Sequence, residues 1–214
     1  MIDPWEALER LKRGNERFAA ESDEGGASTR PSPKHELMHE QRPFAVILGC
    51  SDSRVPAEIV FDQGLGDLFV IRVAGNVVAP SQVGSVEFAA ERFGTKLVVV
   101  LGHSQCGAIL ATLEELERPT EQQSPNLRSI VDRVRPSVEA LLAAGLRDDP
   151  DALVGHAVRA NIRASVNHLR HGSAILERLV QQGELLIVGA EYSLETGRVD
   201  FFDDGSPSRR PAGG

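Results

Sequence analysis

Long apolar runs are missing from this 214-residue chain. Nothing in it approaches the roughly 20 consecutive apolar residues that a membrane-crossing helix needs, so no membrane partner is expected. An excess of basic residues is missing too. Lysine and arginine number 23 against 31 aspartates and glutamates, giving a formal net charge of −8 and a sequence pI near 5.3. Nucleic acid calls for clustered positive charge, so no such partner is expected either. The start, Met1-Ile2-Asp3-Pro4-Trp5, has neither the basic opening nor the apolar run of a signal peptide. The expected location is therefore the cytoplasm. Cysteine is scarce, with Cys50 and Cys106 alone, which argues against a disulfide framework, and neither lies in a Cys-x-x-Cys redox pair.

What is there is ordinary for a soluble protein: 41% hydrophobic and 25% charged residues, enough for a single domain over 1–214 with a sizeable core. Asp3 and Pro4 give a helix start signal, with Glu6 placed for a capping box. Trp5, Leu8, Leu11 and Phe18 follow at helical spacing to about residue 20. Residues 21–34 are polar and rich in glycine, serine and proline, which reads as a linker. Such a tethered amphipathic helix packs either on its own domain or on a partner, and the sequence leaves both open. Apolar runs at 44–49, 68–73, 97–102 and 185–190 alternate with helical segments at 83–93, 108–117, 127–144 and 152–181, the last with a break expected at Gly172. Leu194-Glu195-Thr196-Gly197 reads as a hairpin turn leading into a strand at 198–202. The predicted fold is α/β: a mostly parallel four-stranded sheet with an antiparallel edge strand, flanked by helices, plus an extended N-terminal helix. The tail 203–214 is expected to be disordered.

The chemistry sits at two strand ends. Cys50-Ser51-Asp52-Ser53-Arg54 follows the first run, and His103-Ser104-Gln105-Cys106 follows the third. Neighbouring parallel strands would bring these ends to one rim. Thiolate and imidazole suit zinc, and a catalytic zinc uses three protein ligands and leaves the fourth position to water. Cys50, His103 and Cys106 make three. Asp52 is a candidate fourth ligand in a closed state, and Arg54 competes for its carboxylate through a bidentate pair. The expected cofactor is one zinc ion per chain. Buried structural cysteines are the plainer alternative.

These motifs resemble those of the β-class carbonic anhydrases. The likeness runs from about Trp5 to Phe202, through Leu-Lys-Arg-Gly-Asn-Glu-Arg-Phe at 11–18, Gln41-Arg42-Pro43, Cys50-Ser51-Asp52-Ser53-Arg54, Phe61-Asp62-Gln63-Gly64, Arg72-Val73-Ala74-Gly75-Asn76, Gly84-Ser85-Val86-Glu87-Phe88 and Gly102-His103-Ser104-Gln105-Cys106-Gly107. The resemblance implies a zinc enzyme interconverting carbon dioxide and bicarbonate, with Cys50, His103 and Cys106 as ligands, in a homodimer or homotetramer. It also implies a substrate pocket in which Gln41 donates to bicarbonate, often across a subunit interface, and Phe69 and Phe88 form aromatic walls. Gly107, at the start of a helix whose dipole favours an anion, is the fourth pocket residue. Some members of the family carry a regulatory bicarbonate site that needs a tryptophan where this chain has Ile47. Arg72 and Tyr192 stand at its other two positions, and without the indole that site is not predicted.

The expected mechanism is attack of zinc-bound hydroxide on carbon dioxide. Asp52 and Arg54 are the expected catalytic pair: Arg54 holds Asp52 away from the metal, and Asp52 accepts a hydrogen bond that orients the nucleophile. Two thiolates neutralise much of the zinc charge, so the water is expected to be acidified less than by three histidines, and activity to rise into the alkaline range. No histidine among His35, His39, His156, His168 and His171 is assigned as a proton shuttle. Two rivals stand beside this reading: hydrolysis of carbon disulfide or carbonyl sulfide on the same site, and a closed structural zinc module with Asp52 permanently bound.

Overall fold

A computed structural model describes residues 2–22, 41–119, 124–143 and 150–202. Helix α1 (Pro4–Ser22) opens the chain. Asp3 caps it, its Oδ1 accepting from the Trp5 N–H at 2.9 Å, while Pro4 in the first turn has no N–H to satisfy. Strand β1 (Ala45–Gly49) follows, then the short α2 (Ala57–Val60), β2 (Leu68–Arg72), α3 (Pro80–Phe93) and β3 (Leu97–His103). Four helices come next, α4 (Gly107–Glu117), α5 (Pro125–Ala143), α6 (Pro150–His171) and α7 (Ala174–Gln181), before β4 (Leu186–Tyr192) and β5 (Val199–Phe202).

The strands form one sheet in the order β2-β1-β3-β4-β5. The first four are parallel and β5 pairs antiparallel with β4, as the sequence predicts. Every residue of β1 and β3 is buried, the mark of parallel strands covered on both faces. Side chains alternate between those faces. Val46, Leu48, Val98 and Val100 join the cluster under α3 to α7. Ala45, Ile47, Val99 and Leu101 join the opposite cluster with Ala7, Leu8 and Leu11 of α1.

That second cluster answers the question the sequence leaves open, because α1 lies on its own domain. Its polar face is tied down there as well: Asn15 Nδ2 donates to the carbonyls of Val60 and Gly197, and Asn15 Oδ1 accepts from the Val199 N–H. The helix runs two residues past its expected end, so residues 21 and 22 belong to it. The rest of the expected linker and the tail 203–214 lie outside the described residues. The long helix expected over 152–181 is two helices, broken at Gly172. Ser173 caps α7 by accepting from the Leu176 N–H at 3.2 Å. Two short pieces are absent from the sequence reading, α2 and a 3-10 turn at Ala74–Asn76.

The chain leaves β1 to build β2 on one side and β3 on the other. That reversal of strand order opens a crevice at the C-terminal ends of β1 and β3, where ligands bind in open α/β sheets.

Candidate metal centre

Gly49, the last residue of β1, pairs with Leu101 of β3, so Cys50 and His103 emerge side by side at the crevice. The chain then turns through Gln105, whose φ of +55° is left-handed, and returns Cys106 to the same point as it enters α4. Cys50, His103 and Cys106 are 5%, 0% and 1% exposed. Their ligand atoms all lie within 4.8 Å of one another, the one such group of three or more among the described residues.

The geometry fits zinc. Cys50 Sγ and Cys106 Sγ are 4.0 Å apart, close to the ~3.8 Å that tetrahedral zinc with Zn–S bonds of about 2.3 Å would set. His103 Nδ1 lies 2.9 Å from the Ser104 carbonyl, which fixes the proton on Nδ1 and leaves Nε2 its lone pair. That Nε2 is buried with no hydrogen-bond partner. A buried nitrogen acceptor without a donor is costly unless a cation takes the lone pair.

The thiols divide the charge unequally. A hydrogen bond from Cys106 lowers the Cys50 thiol, against the upward push of burial, with smaller help from His103 and the Gly75 N–H. Cys106 is raised, first by that same bond to Cys50 and then by burial. The two sulfurs thus share a proton across a short contact, and a metal would displace it. Burial pushes the His103 imidazole down, and Cys50, the Ser104 carbonyl and Asp52 together outweigh that and raise it.

Beside this group, Asp52 is held by Arg54. Arg54 Nε donates to Asp52 Oδ1 at 2.9 Å and Nη2 to Oδ2 at 2.7 Å, and the Arg54 backbone N–H adds a third bond to Oδ1 at 3.0 Å. These bonds hold the carboxyl well below the usual carboxylate range. Asp52 Oδ2 nonetheless lies only 3.7 Å from His103 Nε2, near enough that rotation would carry it to the metal position.

Of the residues singled out in the sequence, the structure brings together Cys50, Asp52, Arg54, His103, Cys106 and Gly107. Gly107 is the first residue of α4, and a side chain there would meet nothing within 4 Å. Gln41, Phe69 and Phe88 are not part of this group within one chain. Gln41 is exposed and precedes β1, whose C-terminal end is the one that carries Cys50. Phe69 pairs with Val46 early in β1 and stacks with Phe88 and Phe93, at centroid distances of 6.3 and 6.0 Å.

Three residues have supporting roles that the sequence reading does not assign. Arg72, at the end of β2, donates Nε to the Cys50 carbonyl at 3.0 Å and Nη2 to the Asp52 carbonyl. It therefore pins the ligand loop. Gly75 donates its N–H to Cys50 Sγ at 3.3 Å. Ser104 holds the His103 ring and accepts the Leu194 N–H on its Oγ at 3.0 Å, linking the site to the hairpin. Ile47 is fully buried in β1 and Tyr192 packs 6.4 Å from Phe18.

A family model described as carbonic anhydrase matches residues 45–199. The chain is similar to the carbonic anhydrase of Mycolicibacterium smegmatis, 41% identical over 203 residues and 93% of each chain. It is 40% identical to carbonic anhydrase 2 of Mycobacterium tuberculosis, over 94% of each. Among solved structures, the β-carbonic anhydrase CafA of Aspergillus fumigatus superposes with a TM-score of 0.72 at 25% identity, covering 94% of this chain and 91% of that one.

Proposed function

The chain belongs to the carbonic anhydrase family, in its β class, and on that premise we propose that Cys50, His103 and Cys106 hold its zinc while Arg54 keeps Asp52 off the metal. The protein is an enzyme, and its reaction is the reversible hydration of carbon dioxide to bicarbonate and a proton. The observation that carries the assignment of ligands is the orphaned His103 Nε2 facing two sulfurs 4.0 Å apart. When bound, zinc acts as a Lewis acid that acidifies water and so supplies a nucleophile near neutral pH.

The residues of the chain do the rest. Arg54 fixes both Asp52 oxygens, which would leave a bound zinc open to water. Because that pairing keeps Asp52 ionised through the neutral range, its carboxylate is an acceptor: it takes a hydrogen bond from the attacking water and orients it, without taking up the proton. The first turn of α4, beginning at Gly107, presents the positive end of a helix dipole to the bicarbonate anion. Both bonds from Arg54 argue against a permanently closed structural module, and turnover on carbon disulfide and carbonyl sulfide separates the remaining rival.

We read the functional unit as a homo-oligomer, a dimer or tetramer, in which Gln41, Phe69 and Phe88 complete the pocket of a second copy. Support comes from their absence from the metal group of their own chain and from the edge strand β2. That edge carries Phe69, Val70 and Ile71 half-buried beside an exposed Phe88, an apolar edge that natural proteins cover. No helix among the described residues is long and apolar enough to cross a membrane. Two free ligand thiols suit a reducing compartment, and we propose the cytoplasm. The chain acts in this reading as a single domain over 1–214.

Stopped-flow carbon dioxide hydration on protein with quantified zinc tests the proposal. One zinc per chain with fast turnover is expected; full zinc without hydration would reject it.

A further inference from the structure

We propose that Asn161 and Ser165 of α6 are positioning residues for the metal centre, holding the 74–76 turn so that the Gly75 N–H is aimed at Cys50 Sγ. Asn161 Nδ2 donates to the Gly75 carbonyl at 2.8 Å, and Ser165 Oγ donates to the Asn76 carbonyl at 3.0 Å. The two residues are one helical turn apart and share a face. They are 2% and 5% exposed, so neither bond competes with bulk water.

The turn needs such ties. Gly75 and Asn76 are consecutive left-handed residues, with φ of +68° and +43°. Left-handed residues occur singly and do not propagate a regular hydrogen-bonded structure, so the pair holds its shape only where its surroundings impose it. A side chain at position 75 would come within 3.0 Å of Ala108 Cβ, which leaves glycine there and gives the turn no side-chain anchor at that position. The 2.8 Å bond to the Gly75 carbonyl fixes the peptide that follows, and the Asn76 bond fixes the next one. The N–H on the other side of Gly75 then points at the sulfur, 3.3 Å away.

Gly102 shows how α6 comes close enough. A Cβ at position 102 would lie 2.6 Å from Ile162 Cδ1, so the helix seats against the end of β3 only because that residue has no side chain. Ile162 sits between Asn161 and Ser165 in sequence and is fully buried. Close packing of α6 on β3 therefore delivers both polar side chains to the turn. An N–H donating to a thiolate lowers the energy of the sulfur lone pair and tunes the ligand, as hydrogen bonds to first-sphere ligands do.

The inference rests on Cys50 being a metal ligand, and the test separates the two claims. The full chain is loaded with cobalt(II), whose thiolate charge-transfer bands report directly on the sulfur. Affinity is measured in parallel by chelator competition, on wild type, Asn161→Ala, Ser165→Ala and Cys50→Ser. The expected result is a band at longer wavelength in both α6 variants and an affinity about tenfold weaker. Should Asn161→Ala fail to fold by circular dichroism, Ser165→Ala carries the test alone. An unmoved band in a folded α6 variant, whatever its affinity, would assign these residues a structural role only and overturn the proposal. A wild-type band that persists unchanged in Cys50→Ser would instead overturn the ligand assignment, and this inference with it.

Discussion

At the C-terminal rim of the sheet, the three proposed zinc ligands are almost wholly buried and two of them are tied by further groups: Arg72 and Gly75 at Cys50, Ser104 at His103. At the outer edge, Phe69 is half-buried and Phe88 is 52% exposed, and the two pack mainly with each other and with Phe93. The first region is finished within one chain, because a metal centre needs preorganised donors that the alternatives of a loose loop would spoil. The second is apolar yet uncovered. In the proposed oligomer, this edge would be the pocket wall that faces another copy, and substrate binding would then depend on assembly while metal binding would not.

Breaking the finished region should have the largest effect. Cys106→Ser removes a thiolate and is expected to lower zinc affinity and hydration by at least about a thousandfold, well beyond the 10–100-fold cost of losing an outer partner. Metal analysis with stopped-flow kinetics reads both, and zinc retained at full activity would remove Cys106 from the ligand set. Disturbing the uncovered edge should spare the metal. Phe88→Asp places a charge among the three rings and is expected to shift sedimentation toward the monomer, with hydration down about tenfold at unchanged zinc content. A monomer as active as wild type would show that one chain completes the pocket alone.

The smallest effect concerns acid stability. The Asp52 carboxyl is depressed, chiefly by the Arg54 side chain, so its stabilisation is fully present above the unfolded value of about 3.9 and is lost as pH falls below it. Metal-free wild type and Asp52→Asn should therefore differ by a constant margin in denaturant midpoint above about pH 5, and the margin should narrow in acid. A margin that widens in acid would reverse the sign of that linkage.

Much of this was legible beforehand, and the physical reason is periodicity. Continuous apolar runs identified β1 and β3 because both faces of a central parallel strand are covered, and Cys50 and His103 were locatable because they directly end those runs. The Asp52 and Arg54 pair was legible from a spacing of two, which lets a bidentate contact form locally. What stayed hidden depends on the direction of backbone groups. Nothing in Val73-Ala74-Gly75-Asn76 announces that an N–H will meet a sulfur. Asn161 and Ser165 were lost inside a helix recognised by Val154, Val158, Ile162, Val166 and Leu169, where small polar residues flanking the apolar stripe carry no signal of their own. Arg72 falls in a family motif and at one position of a regulatory site, and its two carbonyl partners appear only once β2 lies beside β1.

The measurement that bears most directly on the account is hydration by zinc-loaded Arg54→Ala at pH 7.5 beside wild type. Freed from its partner, Asp52 should swing the short distance to the metal position, so the account predicts one zinc per chain with activity down by about 10–100-fold. Full zinc with wild-type activity would contradict it, because Arg54 would then have no part in keeping the centre open.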